Sequence, residues 1–135
     1  MDQMTFLDRL RYGKHTFTGG IRAYAKPHIN PDGTVGGWVA DTALVEPTCY
    51  ISPNAEVYEY AQVRDNAQLL ETATVNGFAK VMEDAVIDGG WVTDDSVVQG
   101  DTYVGDYTIV CGSSYADHGK LLEYMIYDDI KKVRK

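Results

Sequence analysis

The chain has 135 residues, and one domain of this length can bury a hydrophobic core without disulfides or a structural metal. Its formal net charge is −8, and 13 acidic residues but only two basic ones, Arg64 and Lys80, lie between residues 39 and 112. This concentration of acid argues against direct binding of nucleic acid, and it favours a protein partner with a basic surface. No apolar run reaches the roughly 18 residues that a membrane-spanning helix needs, so we expect no membrane association.

The first residues and the cysteines indicate the compartment. Residues 1–10 mix acidic with apolar side chains and lack the continuous apolar stretch of a secretory signal. Cys49 and Cys111 are too far apart for a CxxC redox pair or a zinc knuckle. We therefore expect a cytoplasmic protein with reduced thiols and no cofactor.

Residues 1–38 are predicted to form an N-terminal cap with lead-in strands. The segment 12–25 has the pattern of one or two β-strands, and 27–33 has the composition of a loop that ends in an Asn-Pro-Asp-Gly turn. His15 and His28, which lie in these two segments, are expected at the surface.

From Val39 onward the sequence repeats with a period of six. An aliphatic residue occupies every sixth position, and a small residue follows four positions after nearly every one of them. The phase slips by one residue within 88–91, Asp-Gly-Gly-Trp, and then resumes. The aliphatic positions are Val39, Val45, Ile51, Val57, Val63, Leu69, Val75, Val81, Ile87, Val92, Val98, Val104 and Val110; the small ones include Ala43, Cys49, Ala55, Ala61, Ala67, Ala73, Ala79, Ala85, Ser96, Thr102, Thr108 and Ser114.

These two columns predict an all-β solenoid in which three hexads form one coil. Alternation within a hexad makes a short strand whose aliphatic side chain points inward, and the small residue fits where the chain turns close to the axis. Residues about 18 apart then stack, so that 39–114 supplies about four coils of a parallel β-helix. Two glycines at the slip are predicted to permit a shortened corner.

The repeat resembles the [LIV]-x-x-x-[small]-x hexapeptide of the left-handed β-helix superfamily, whose members include acyltransferases and γ-class carbonic anhydrases. The lead-in Phe17-Thr18-Gly19-Gly20-Ile21-Arg22-Ala23, the following Gly36-Gly37-Trp38-Val39 and the hexads are similar to short hexapeptide-repeat proteins of bacteriophages and prophages, often labelled acyltransferases. This resemblance implies a single-stranded left-handed parallel β-helix, a trimer packed side by side, and a phage or prophage protein in a bacterial host.

Residues 115–135 are predicted to form a C-terminal amphipathic helix that caps the last coil. Apolar residues follow helical spacing, and basic residues occupy the last turn. An open β-helix end exposes a strand edge, so a solenoid needs such a cap. A partner-docking or trimer-forming helix is the alternative. The apolar positions are Leu121, Leu122, Met125, Ile126, Ile130 and Val133, and the basic ones are Lys131, Lys132, Arg134 and Lys135.

Catalytic chemistry depends on three histidines, His15, His28 and His118. A γ-class carbonic anhydrase needs three imidazoles on one zinc, and none of these residues lies in the hexads, so that activity is not expected. Asp94, Asp95, Asp101 and Asp106 could suggest calcium, but they lack the spacing of an EF-hand loop, so no metal site is expected. An acyltransferase needs a histidine base beside a groove, and His118 is the one candidate near a coil. However, the hexads up to Ile87 contain no inserted loop that could shape a groove. The favoured interpretation of His118 is therefore an exposed histidine in the turn before the capping helix, which does not face its neighbour Asp117.

Stacking by about 18 residues also predicts columns on the outer surface. Tyr60 is expected to stack on Phe78, and the corner acids fall in register. Aromatic columns of this extent indicate an interface, although the terminal segments could instead cover one face. The predicted binding residues are Tyr50, Tyr58, Tyr60, Phe78, Trp91, Tyr103, Asp41, Glu59, Asp65, Glu83, Asp94 and Asp95.

The sequence therefore predicts a non-enzymatic interaction protein of phage or prophage type. Its acidic surface would inhibit or sequester a host protein with a basic surface, for instance by imitating nucleic acid, or the rod would associate with itself. The alternative is a coenzyme A-dependent acyltransferase with His118 as base. A third interpretation is that the acid only keeps the rod soluble.

Overall fold

The structure, a computed structural model, describes residues 13–122 and 125–132. Within these residues every regular element is a β-strand. The described residues contain no helix that is long and apolar enough to cross a membrane. The predictions made for residues 1–12 lie outside the described residues. The strands are β1 Gly13–Thr16, β2 Arg22–Ile29, β3 Val35–Ala40, β4 Leu44–Val45, β5 Tyr50–Ile51, β6 Glu56–Val57, β7 Gln62–Val63, β8 Gln68–Leu70, β9 Thr74–Val75, β10 Lys80–Val81, β11 Val86–Asp88, β12 Trp91–Val92, β13 Val97–Val98, β14 Tyr103–Val104, β15 Ile109–Cys111, β16 Tyr115–Ala116, β17 Lys120–Leu121, β18 Ile126–Asp128 and β19 Lys131–Lys132.

The strands form a parallel β-solenoid with three faces. Face 1 stacks β3, β6, β9, β12, β15 and β18; face 2 stacks β4, β7, β10, β13, β16 and β19; face 3 stacks β5, β8, β11, β14 and β17. The chain passes each face once per coil, and along face 1 Val39 pairs with Val57, then Val75, Val92, Val110 and Tyr127. The predicted parallel β-helix is confirmed, with about five turns where the sequence predicted about four.

The core is the column of aliphatic side chains that the repeat predicts. From Ile51 to Val110 all of these side chains are 0% exposed, and so are most of the small corner residues between them. Each buried aliphatic side chain removes its apolar surface from water by packing against the side chains of the adjacent coils. Every coil is therefore stabilised by its interfaces with its neighbours.

The predicted phase slip lies at the corner between face 3 and face 1. Before it, partners in adjacent coils differ by 18 residues, as in Gln68–Val86; across it they differ by 17, as in Val86–Tyr103. Gly89 has φ of 83°, which a residue without Cβ adopts readily. A Cβ on Gly90 would lie 2.8 Å from Val104 Cγ1. The two glycines thus permit the shortened corner, as predicted.

An N-terminal hairpin covers part of the outside of face 1. β1 and β2 are antiparallel, and β2 continues face 1 through antiparallel pairing with β3. The hairpin also lies against the outer side chains of this face, because the His15 ring stacks on Trp38 at 4.6 Å and Phe17 stacks on Tyr58 at 4.6 Å. The alternative that a terminal segment covers one face therefore applies to the first coils of face 1.

The hairpin supplies hydrogen bonds to the edge strand of face 3. The Asn30 side chain accepts from Ile51 N at 2.8 Å and donates to Ile51 O at 3.1 Å, and His28 Nε2 lies 2.9 Å from Cys49 O. These groups replace the neighbour that β5 lacks. The prediction that His28 lies at the surface is therefore wrong, because the residue is only 9% exposed. Burial also lowers the pKa of its imidazole.

The C-terminal helix predicted for 115–135 is wrong for the residues that the structure describes. Here the solenoid continues past residue 114 as β16 to β19. Leu121 is buried next to Val104 in the inward column of face 3, and Tyr127 is half-buried in the inward column of face 1. The inward positions are now separated by five or six residues. Short apolar runs at such spacing do not distinguish strands from a helix, which explains the error. Residues 123–124 and 133–135 lie outside the described residues.

Two buried hydroxyls in the fourth coil provide a test of the core. Ser96 and Thr102 are 0% exposed, and neither hydroxyl has a hydrogen-bond partner among the described residues. Ser114, one coil further than Ser96, instead bonds Cys111 O at 2.8 Å and accepts from Ile130 N at 3.0 Å. The small corner column thus contains both unpaired and paired hydroxyls.

We expect Ser96→Ala and Thr102→Val each to raise the free energy of unfolding by about 1 kcal/mol, because each removes a buried hydroxyl without a partner. Ser114→Ala should lower it by about 1 kcal/mol, since it removes a hydroxyl that forms hydrogen bonds. Urea denaturation of the three variants measures both effects. Loss of stability in Ser96→Ala would contradict the assignment.

Candidate functional site

The corners hold acidic residues in an unusual backbone conformation. Glu59, Asp65, Glu83 and Asp94 have φ between 59° and 60°, in the left-handed region that residues with a Cβ seldom adopt. Each carboxylate accepts the N–H of the left-handed residue one coil further. The distances are 2.9 Å from Gly77 N to Glu59, 3.0 Å from Glu83 N to Asp65, 2.8 Å from Gly100 N to Glu83 and 2.8 Å from Gly112 N to Asp94.

These hydrogen bonds hold the corner carboxylates in one geometry. A carboxylate that accepts a backbone N–H forms a charge-assisted hydrogen bond. One oxygen therefore binds the adjacent coil, and the negative charge stays at the corner surface. The predicted acids thus help to hold coils together while they form rows of fixed charge.

Half of the predicted binding residues meet at one corner, between face 1 and face 2. We call this corner surface the acidic–aromatic corner; it consists of Asp41, Glu59, Tyr60, Phe78, Asp94, Asp95, Asp128 and Asp129. The corner segments 41–43, 58–60, 76–78, 93–95, 111–113 and 128–129 contain no lysine, arginine or histidine. Asp128 and Asp129 were not among the binding residues predicted from the sequence, because a helix was predicted for that segment. Acids therefore outnumber bases at this corner, where Lys131 Nζ donates to Ser113 O at 2.8 Å and Lys80 lies on the adjacent strand β10.

The exposed aromatic pair lies within this corner. The Tyr60 and Phe78 rings are stacked, with centroids 5.3 Å apart and planes at 10°, as predicted. They are 57% and 60% exposed, although large apolar side chains of this kind are usually buried. Asp95 lies beyond them, and with Gln62, Lys80 and Val97 of face 2 the two rings line a shallow cleft of about 430 Å³.

The other predicted acids lie on a different corner, between face 2 and face 3. Asp65 and Glu83 are exposed there, as are Asp84 and Asp101. This corner also carries Arg64, whose Nε lies 3.9 Å from Glu46 Oε2. The structure therefore divides the predicted acids between two corners, and this second corner lacks an exposed aromatic pair.

His118 and Asp117 lie on this second corner and face each other. His118 Nδ1 is 2.8 Å from Asp117 Oδ1, although the sequence favoured neighbours that do not meet. A histidine oriented by a carboxylate has the arrangement of a general base. However, His118 does not line the cleft beside Tyr60 and Phe78, nor any of three other surface clefts among the described residues. Among the described residues no cluster of three or more His, Cys, Asp or Glu could hold a metal ion.

The remaining predicted residues are dispersed over other faces. Tyr50 and Tyr103 are half-buried on face 3, in one column as predicted, and the Tyr103 hydroxyl bonds Asp88. Trp91 is half-buried on face 1. Tyr58 is 1% exposed beneath the hairpin, and burial raises its pKa to about 12, so it does not belong to the surface.

A second cleft lies where the phase slip meets the hairpin turn. We call it the slip cleft; its volume is about 350 Å³. The shortened corner at Gly89 and Gly90 brings no side chain into this space, while Trp91, Tyr107 and Ile109 line it. Tyr107 was not singled out from sequence. Its position beside the slip is the signal that could have identified it.

Comparisons with known proteins return nothing significantly similar to the chain. No protein-family model matches it, and neither does a curated protein or a solved structure. The assignment of function therefore depends on the geometry of the surface.

Proposed function

We propose that this chain is a non-catalytic interaction protein that binds a basic protein through the acidic–aromatic corner. In this proposal it is a left-handed β-helix of the hexapeptide-repeat type, encoded by a phage or prophage, and it acts in the cytoplasm of the bacterial host. Its effect would be to inhibit or sequester the host protein that it binds.

The single observation that carries the proposal is the exposed Tyr60–Phe78 pair beside fixed carboxylates. Stacked rings offer a face to a guanidinium or ammonium group, and a carboxylate at its edge adds charge attraction. Arginine-rich surfaces present such groups. Because the rings are held by stacking, and Glu59 and Asp94 by hydrogen bonds, little side-chain freedom is lost on binding.

The fixed charges of this corner are the basis for the proposal that it imitates nucleic acid. Adjacent coils are separated by about 4.8 Å. The corner acids lie in the coils of residues 41, 59, 94–95 and 128–129, while segments 76–78 and 111–113 carry none, so beyond Glu59 the charges recur in every second coil, about 10 Å apart. A protein that binds phosphate backbones carries a complementary basic groove. Host nucleases and polymerases are therefore the class of partner to examine first.

The test compares two variants with the same change in charge. The first removes four of the six carboxylates of the acidic–aromatic corner by Asp41→Asn, Glu59→Gln, Asp94→Asn and Asp95→Asn. The second removes four carboxylates of the other corner by Asp65→Asn, Glu83→Gln, Asp84→Asn and Asp101→Asn. The amide oxygens still accept the backbone N–H bonds, so both variants should keep the fold, which circular dichroism checks.

We expect the immobilised wild type and the second variant to retain the same basic protein from bacterial lysate, and the first variant to lose it. Raising the salt from 50 to about 500 mM should release the partner, because exposed charges are screened at that ionic strength. Equal retention by both variants, or retention that is insensitive to salt, would refute the proposal.

One observation favours the acyltransferase alternative, namely the His118–Asp117 contact. An enzyme of this class must bind coenzyme A, and a ligand that binds only the native state raises its melting temperature. A shift with acetyl-CoA that His118→Asn abolishes would support that alternative. An unchanged melting temperature would leave the interaction protein as the better account.

Self-association is a second candidate because apolar side chains are exposed on the last coils. Leu122, Met125 and Ile126 are between 51% and 68% exposed. Together with Tyr107 they give an apolar area of the kind that interfaces use. Light scattering distinguishes a monomer from the trimer that the hexapeptide-repeat resemblance implies.

A further inference from the structure

We propose that the slip cleft binds a neutral saccharide. The cleft lies between face 1 and the corner that follows face 3, away from the acidic–aromatic corner. The inference is therefore independent of the proposed function. The volume of the slip cleft, about 350 Å³, is sufficient for one or two sugar rings and lies within the range of small-ligand sites.

The wall of the cleft provides an aromatic platform. Trp91 Nε1 donates to Asn76 Oδ1 at 2.7 Å, so the indole is held in one orientation. Tyr107 is 66% exposed, and its φ of 57° is the left-handed conformation that Gly89 and Glu71 adopt at the same corner one and two coils earlier. The turn of the solenoid therefore fixes the backbone from which the Tyr107 ring projects beside the cleft. Ile109 extends the apolar wall between Trp91 and Tyr107.

The rim of the cleft provides hydroxyl and carboxylate groups. Thr18 from the hairpin turn and Thr72 bring hydroxyls, and Asp106 brings a carboxylate that accepts from Tyr107 N at 3.0 Å. No lysine, arginine or histidine is among the described residues that line it. The rim therefore repels phosphates and carboxylates and offers acceptors to hydroxyl donors.

The combination of platform and rim selects a sugar. A pyranose ring has an apolar C–H face, which packs on aromatic rings, and a rim of hydroxyls that donate and accept hydrogen bonds. A nucleotide or an acyl-phosphate lacks a cationic partner here. A quaternary ammonium would use the rings and Asp106, but it would leave the threonine hydroxyls without a role.

The experiment screens the full chain against an array of neutral gluco-, galacto- and mannooligosaccharides, followed by calorimetry with the oligosaccharide that binds most tightly. Tyr107→Gly removes the ring and is compatible with the positive φ, so the fold is kept. Tyr24→Ser is the control, because Tyr24 is 54% exposed on the N-terminal hairpin and lines neither cleft. We expect Tyr107→Gly to weaken binding about tenfold and Tyr24→Ser to leave it unchanged.

Three results would overturn the inference. They are the absence of binding to every neutral glycan, equal affinity in wild type and Tyr107→Gly, and binding of choline by a chain that binds no sugar. Each is independent of the charge-variant experiment on the acidic–aromatic corner, so failure of one proposal can be told from failure of the other.

Discussion

Leu69→Ala should lower the free energy of unfolding by about 3 kcal/mol. Leu69 is 0% exposed in the second coil and is paired on either side with Ile51 and Ile87. Both neighbours are held by their own coils and cannot move inward to fill the space, so the full cavity cost applies. Urea denaturation followed by circular dichroism measures the loss.

The matched control lies one residue away on the same strand. Gln68 points outward between Tyr50 and Val86, and it is exposed. Gln68→Ala should change stability by less than about 0.5 kcal/mol. Equal effects of the two substitutions would contradict the inward and outward assignment of this strand.

Gly37→Ala should cost about 3 kcal/mol for the opposite reason, because it adds an atom where no space exists. A Cβ at this position would lie 1.8 Å from Ala55 O and 2.9 Å from Ser52 O. Both are backbone atoms of the next coil and cannot rotate away. The first coil must separate from the second, and hydrogen bonds between β3 and β6 lengthen.

Gly13→Ala provides the control for this substitution. A Cβ there would meet no atom of the described residues within 4 Å, and the backbone is not left-handed. Both changes restrict the unfolded chain equally, so the difference in their unfolding free energies isolates the clash. A difference below about 1 kcal/mol would show that the coils adjust to the added methyl group.

The sequence was sufficient to predict the inner half of the molecule. Val39 to Val110 lie on three stacked columns, the slip lies at Gly89 and Gly90, and Tyr60 stacks on Phe78. All of these follow from a period, since residues one coil apart must meet when the repeat is regular. The function that we propose for the outer surface stays a prediction.

Non-periodic segments were predicted less well. The C-terminal residues were assigned to a helix, yet β16 to β19 continue the solenoid. Five-residue steps there removed the signature of the hexad, and a helix and short strands compete for the same apolar spacing. His28 was assigned to the surface because no pattern indicates that an edge strand needs its side chain.

The sequence by itself determined which residues point into the rod, where the coils change phase and which corner residues are in register, because these properties depend only on local spacing along the chain. Only the tertiary structure decided which outer surface remains accessible. The hairpin folds back over face 1, so Tyr58 is buried, while Tyr60 stays exposed. These outcomes depend on how an aperiodic segment docks on a periodic one, and that docking is governed by contacts between residues far apart in the chain, which no period encodes.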